Sequence, residues 1–160
     1  MINSHGNNVE LYLGISEVLD DFDEVYTALS YINKALELFP DNLQLLGIKG
    51  NLLSKLEKYG EALKCYDKIL EKDPNDWMTW YNKAITLVNL RKYKESLECL
   101  DKVIELNPNF AKAWYNKGAI IANYIGDYNT ALKYINKALE LDPNYIPAKI
   151  SRDILLNIIK

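Results

Sequence analysis

Residues 77–110 read WMTWYNKAITLVNLRKYKESLECLDKVIELNPNF. Trp80, Ala84, Leu87 and Val88 recur at helical spacing in the first half, and Leu97, Leu100, Val103 and Ile104 in the second. The pattern predicts two amphipathic helices, joined by a bend near Arg91–Lys92 and closed by Pro108. The residues that follow, AKAWYNKGAIIANYIGDYNTALKYINKALELDPNY, begin the same pattern again, and those before it, LQLLGIKGNLLSKLEKYGEALKCYDKILEKDPND, are another copy. Prolines 40, 74, 108 and 143 end the copies at intervals of 34, 34 and 35 residues. A fixed period of that length signals a helical array in which each unit buries its apolar faces on its neighbours.

Working outward, residues 9–42 form a degraded first copy. Tyr12, Ser16, Leu19, Ala28, Ile32, Ala35 and Pro40 stand where Trp80, Ala84, Leu87, Ser96, Leu100, Val103 and Pro108 stand in residues 77–110. Gly14 and the acidic run Asp20, Asp21, Asp23, Glu24 dilute its first helix. Residues 1–8 are polar and are expected to be a disordered lead-in. The division is therefore 9–42, 43–76, 77–110 and 111–145, with a last helix over 146–160.

Each proline is followed by Asp41, Asn75, Asn109 or Asn144, and an Asx there is expected to cap the next helix. Gly50, Ala84 and Gly118 share one repeat position, and Ala28, Ala62, Ser96 and Ala131 another. Small residues at both predict a close approach of the two helices. Trp80 and Trp114 would fill the remaining space. Tyr59, Tyr93 and Tyr128 follow the bends and are expected to pack beneath them. The extra residue of the fourth copy is assigned to the bend within 123–127, where a loop tolerates it.

The net charge of −3 argues against a nucleic-acid binder. Residues 1–42 carry eight acidic side chains and one basic, so the chain is most negative at that end. An acidic solvated face is the preferred reading of that asymmetry over a site for a basic partner. Cys65 and Cys99 lie 34 residues apart, in no metal or CxxC spacing, and are read as free thiols of a reducing compartment. No secretory signal and no apolar run of membrane-spanning length is present, so a cytoplasmic protein is expected. The sole histidine, His5, lies in the lead-in, and no phosphate-binding glycine loop or zinc motif occurs. Catalysis, cofactors and metals are not expected.

The combination W-x-x-x-[AG]-x-x-[LI], Y-x-x-[AS], [LI]-x-x-[VA]-x-x-x-x-P at this period resembles the tetratricopeptide repeat, with Trp114 to Pro143 matching at nearly every position. The resemblance implies an all-α, right-handed superhelix (an α-solenoid) of four helix-turn-helix repeats with a C-terminal capping helix. It also implies that first helices line a concave groove for a peptide or helix of a partner protein. Carried over by register, the groove positions are Glu10, Leu13, Gly14 and Glu17; Gln44, Gly47, Ile48 and Asn51; Met78, Tyr81, Asn82, Ile85 and Asn89; and Lys112, Tyr115, Asn116, Ala119 and Asn123. Asn51, Asn82, Lys112 and Asn116 are the expected polar anchors, since an amide side chain can pair with both groups of a peptide backbone. Tyr81 and Tyr115 would add flat contact area, and Met78 and Ile85 apolar seats. Asparagine is also common at these family positions, so a scaffold role weighs equally.

One subset of the family resembles a carboxylate clamp for acidic chaperone tails. Asn51, Asn82 and Lys112 match it, but Gly47 and Asn116 stand where two cations belong, which disfavours that reading. In the last helix, continuing the repeat register points Ile150, Ile154 and Ile158 to the groove side and puts Lys149, Arg152 and Asp153 at core positions. The preferred expectation is that the helix rotates to bury those isoleucines; the alternative is a homodimer contact through them. The expected partner is an unidentified protein or peptide, not nucleic acid or membrane.

Overall fold

The computed structural model describes Val9, Gly14 and residues 24–160. The lead-in and most of the segment expected to form the first helix of the first copy, with Glu10, Leu13, Glu17, Asp20, Asp21 and Asp23, lie outside the described residues. Among the described residues every regular element is helical: α1 (Val25–Leu38), α2 (Leu43–Lys55), α3 (Tyr59–Lys72), α4 (Trp77–Asn89), α5 (Tyr93–Leu106), α6 (Ala111–Ile120), a π-helical turn (Ile121–Ile125), α7 (Tyr128–Leu141) and α8 (Ile146–Ile159). The chain divides into two compact units, Met1–Asn82 and Lys83–Lys160.

Within each unit a helix packs on the next in sequence, α1 on α2 and α2 on α3 in the first, α5 on α6, α6 on α7 and α7 on α8 in the second. The second helix of each copy buries the same three positions, spaced by four and three residues. They are Ala28, Ile32 and Ala35 in α1, Ala62, Tyr66 and Ile69 in α3, Ser96, Leu100 and Val103 in α5, and Ala131, Ile135 and Ala138 in α7. That spacing keeps the triplet on one face over two turns. Full burial of each large member is worth about 1.5–3 kcal/mol.

Facing them are the small positions of the first helices. A Cβ built on Gly50 would lie 2.5 Å from Tyr66 Cε1, and one on Gly118 would lie 2.8 Å from Ile135 Cγ1 and 3.0 Å from the Ala131 carbonyl. At the equivalent Ala84, the buried Ser96 hydroxyl donates to the backbone carbonyl at 2.9 Å. The indoles behave alike: Trp80 Nε1 donates to the Pro74 carbonyl at 2.9 Å and Trp114 Nε1 to the Pro108 carbonyl at 2.8 Å. Each tryptophan thus ties its own helix to the proline turn that precedes it.

The bends of the second and third copies are Schellman ends. Lys58 N–H bonds the Leu53 carbonyl and Glu57 N–H the Ser54 carbonyl, and Lys92 and Arg91 repeat this with Leu87 and Val88. The residue at the turn is Glu57 or Arg91, each at φ 59°, where a side chain clashes with its own backbone. Glycine is expected to fit better. E57G and R91G should each raise stability by about 0.5–1 kcal/mol, read as a rise in the urea midpoint, and a fall would contradict the assignment.

Three expectations are corrected by the structure. The helix-starting residue is not the Asx after proline. Asn42 Oδ1 accepts from Leu45 N–H at 3.0 Å, and Asp76 Oδ1 accepts from Met78 and Thr79 N–H at 3.1 and 3.2 Å. Phe110 and Tyr145 start α6 and α8 with no side-chain cap. The reason is the turn itself: Asn42, Asp76, Phe110 and Tyr145 N–H bond the carbonyl three residues back. Proline and the following Asx fill the two central positions of that β-turn, so the cap falls one residue later.

The extra residue of the fourth copy does not lengthen the bend. It is wound into the end of the first helix as the π-turn, whose last bond runs from Gly126 N–H to the Ile121 carbonyl at 2.9 Å. Gly126 then turns the chain at φ 80°. A wider turn absorbs one residue without breaking the hydrogen-bond ladder.

The last helix does not rotate. Ile150, Ile154 and Ile158 are exposed, and Ala148 and Leu155 are buried, the same register as Ala113 and Ile120 in the preceding copy. Ala148 and Leu155 already fill the seat against α7. Lys149 and Arg152 lie half-buried at its margin, where their methylene stems can cover apolar surface with the charge in water.

Candidate functional site

None of the described groove positions is buried. Asn51, Met78, Asn89, Lys112 and Asn123 are exposed and Tyr81, Asn82, Ile85, Tyr115 and Asn116 half-buried, while their helix neighbours Thr79, Ala84, Thr86, Ala113 and Gly118 are buried. The helices therefore face the core with one side and offer these residues on another.

In the first unit, α2 and the start of α4 bring two of them together. Asn51 Oδ1 accepts from Asn82 Nδ2 at 3.1 Å and from the Tyr66 hydroxyl at 2.9 Å. Both lone pairs of that oxygen are taken, so Asn51 can offer a ligand only its amide N–H groups. Tyr66 is the residue that sequence reasoning missed. It occupies the position of Leu100 and Ile135, and its ring fits because Gly50 leaves room against α2. A tyrosine opposite a glycine, where the next copy pairs leucine with alanine, was the available signal. Met78 stands on the same helix as Asn82, 44% exposed.

In the second unit, Tyr115 is held edge-on against Tyr145, with centroids 5.1 Å apart and planes at 88°. Lys112, one turn earlier on α6, is exposed, and among the described residues no carboxylate pairs with it. Asn123 lies on the π-turn, and Ile85 and Asn89 on the later part of α4. The neighbouring Lys117 is committed elsewhere: its ammonium pairs with Asp101 and sits 4.6 Å above the Tyr134 ring. Burial pulls that ammonium down, but hydrogen bonds to Asp101 and Tyr134 outweigh it and the net shift is upward. Tyr134 stacks on Trp114 at 5.9 Å, which fixes α6 against α7 behind the exposed face.

The bends are less hidden than expected. Tyr93 stacks on Tyr124 of the π-turn, centroids 3.5 Å apart, whereas Tyr128 is 38% exposed. A hydrogen bond with Tyr124, and then burial, push the Tyr93 phenol up. Asp127 caps α7 by accepting from Thr130 N–H at 3.0 Å, and that hydrogen bond holds its carboxyl below the usual range. Its folded value is depressed, so its contribution is present above the ordinary carboxyl value and is lost as pH falls through the folded one. In thermal melts, D127N should therefore track wild type at pH 7 and lose less on acidification to about pH 3. An equal loss would show that the cap does not titrate.

Cys65 and Cys99 are both buried and neither forms a disulfide. Burial pushes the Cys65 thiol up, against the pull of Lys49 and Lys68. Among the described residues no cluster of three or more His, Cys, Asp or Glu could hold a metal ion, and no helix is long and apolar enough to cross a membrane.

Two tetratricopeptide repeat models match the chain, one at residues 44–76 and 77–110 and the other at 99–133. No curated protein matches it significantly. Among solved structures, MamA from Desulfovibrio magneticus RS-1 (residues 41 to the end) superposes with a TM-score of 0.81 at 24% identity, over 96% of this chain and 92% of that one. A tetratricopeptide repeat protein from Parabacteroides merdae gives 0.81 at 22% identity, over 93% of this chain and 59% of that one. The first repeat domain of Spaghetti (RPAP3), bound to the HSP90 peptide SRMEEVD, gives 0.68 at 27% identity, over 73% and 92%. With the repeat models spanning more than half its length and its helices laid out as in these structures, the chain belongs to the tetratricopeptide repeat family.

Proposed function

We propose that this protein-interaction scaffold binds an extended peptide segment of a partner protein on the outward faces of its first helices, with no covalent chemistry. In the first unit Asn82 is the principal polar anchor, Asn51 a secondary one and Tyr81 the flat contact; in the second unit Lys112, Asn116 and Tyr115 take the same roles. The observation that carries this reading is that every candidate position keeps accessible surface while Thr79, Ala84, Thr86, Ala113 and Gly118 of the same helices are spent in the core. Tyr115 is braced by Tyr145 before any ligand arrives, which lowers the entropy cost of contact.

The test is selection of peptides from a displayed library, followed by calorimetry on variants. Y115A should weaken the selected peptides about tenfold, or about 1.4 kcal/mol, and K112A less, with K137A as a control away from the face. Equal binding by Y115A, N82A and K112A would overturn the proposal.

An acidic chaperone tail is a weaker candidate, although the Spaghetti (RPAP3) domain carries such a peptide. Gly47 and Asn116 supply no charge at two of the positions where the family's clamp resembles a set of cations, leaving Lys112 as the matching one. SRMEEVD should bind only at low salt, and K112A should abolish it.

A further inference from the structure

The last helix carries Ile146, Ile150, Ile154 and Ile158, spaced by four, at 59, 56, 54 and 52% exposure. Its opposite face is used, since Ala148 and Leu155 are buried in the core with Ile135 and Ala138. A row spaced by four is a ridge along a helix, the kind that interlocks with a second such ridge at a crossing near about −50°.

We infer that this ridge joins two copies of the chain, the two α8 helices crossing antiparallel about a two-fold axis. Three observations favour a second copy over a peptide ligand. First, the row is symmetric about residue 152, so reversal sets Ile146 on the partner's Ile158 and Ile150 on the partner's Ile154. A two-fold contact requires such self-complementarity. Second, the four positions offer no hydrogen-bonding group to a peptide backbone, unlike Tyr81 and Tyr115, which stand where α8 has Ile150's register. Stiff β-branched side chains do suit a matching aliphatic ridge. Third, Asp153, the acid beside the row, already accepts from Arg152 of its own helix at 3.2 Å, so its charge enters the crossing paired.

The exposed fractions amount to roughly 400 Å² of apolar surface per copy, within the size of patches that mark contact sites. Two copies with their flanking residues approach the lower edge of specific interfaces, about 1,200 Å². The dimer is accordingly weak and dissociates on dilution. It involves none of the peptide-binding positions and stands or falls separately from them.

Sedimentation velocity across a dilution series from about 1 to 200 μM tests this, a span chosen for a micromolar contact. Wild type should pass from monomer to dimer with rising concentration, while I154E and I150S remain monomers of 18.4 kDa with unchanged circular dichroism. Mild oxidation of mixed I150C and I154C proteins should cross-link them faster than either alone, since Cys65 and Cys99 are buried. A wild type that stays monomeric throughout, or an I154E protein that still dimerises, overturns the contact. Faster cross-linking of I150C alone overturns the antiparallel arrangement.

Discussion

Replacing Tyr66 by alanine is expected to cost the first unit about 4 kcal/mol, the range for emptying a buried aromatic site. Its ring is 1% exposed and lies against Gly50, and its hydroxyl satisfies Asn51. Most of the cost is the cavity rather than the hydrogen bond, so Y66F should lose only about 0.5–1 kcal/mol. The same geometry predicts a change of sign. In wild type, a methyl group on Gly50 would meet Tyr66 Cε1 at 2.5 Å and Cδ1 at 3.0 Å, so G50A should destabilise. With Tyr66 reduced to alanine that obstacle is gone, and G50A should stabilise by about 1 kcal/mol through helix propensity. Urea unfolding of the four proteins gives the cycle. Additive effects would mean that the ring does not lie where it is placed.

Gly118→Leu should be of similar size in the second unit, about 3 kcal/mol, for a different reason. The nearest atoms to a new Cβ are Ile135 Cγ1 at 2.8 Å, the Ala131 carbonyl at 3.0 Å and Tyr134 Cβ at 3.2 Å. A rotamer change cannot clear a backbone carbonyl, so α6 and α7 would have to separate. Ile135→Ala should therefore rescue G118A only in part, in contrast to the full relief expected at Gly50. A complete rescue by I135A would show that the helices yield more readily than the contact distances imply. Both cycles measure one design rule, the close approach of paired helices, at two places where the obstacle differs.

The placement of two candidate contact residues depends on the same rule. Gly50 admits Tyr66, Tyr66 reaches Asn51, and Asn51 holds Asn82. The family resemblance, carried over by register, names both asparagines, but it assigns them equal freedom to pair with a peptide. The structure divides their roles, because the Asn51 oxygen already accepts two hydrogen bonds.

What the sequence determined by itself is the periodic part: the helices, the repeat length, the triplet buried on each second helix, the small residues opposite it and the matching roles of Trp80 and Trp114. These are properties of a single helix face or a single turn, and spacing encodes them directly. Only the tertiary structure decided that the cap follows the Pro-Asx pair by one residue, that the added residue near Gly126 widens a helix, and that the isoleucines of the last helix face away from the core. Each of these outcomes is a competition among neighbours: a β-turn against an early helix start, a hydrogen-bond ladder against a longer loop, Ala148 and Leu155 against Ile150 and Ile154 for one seat. Periodicity ranks residues by polarity, whereas the winner of such a contest is set by which shape fits the surface already present.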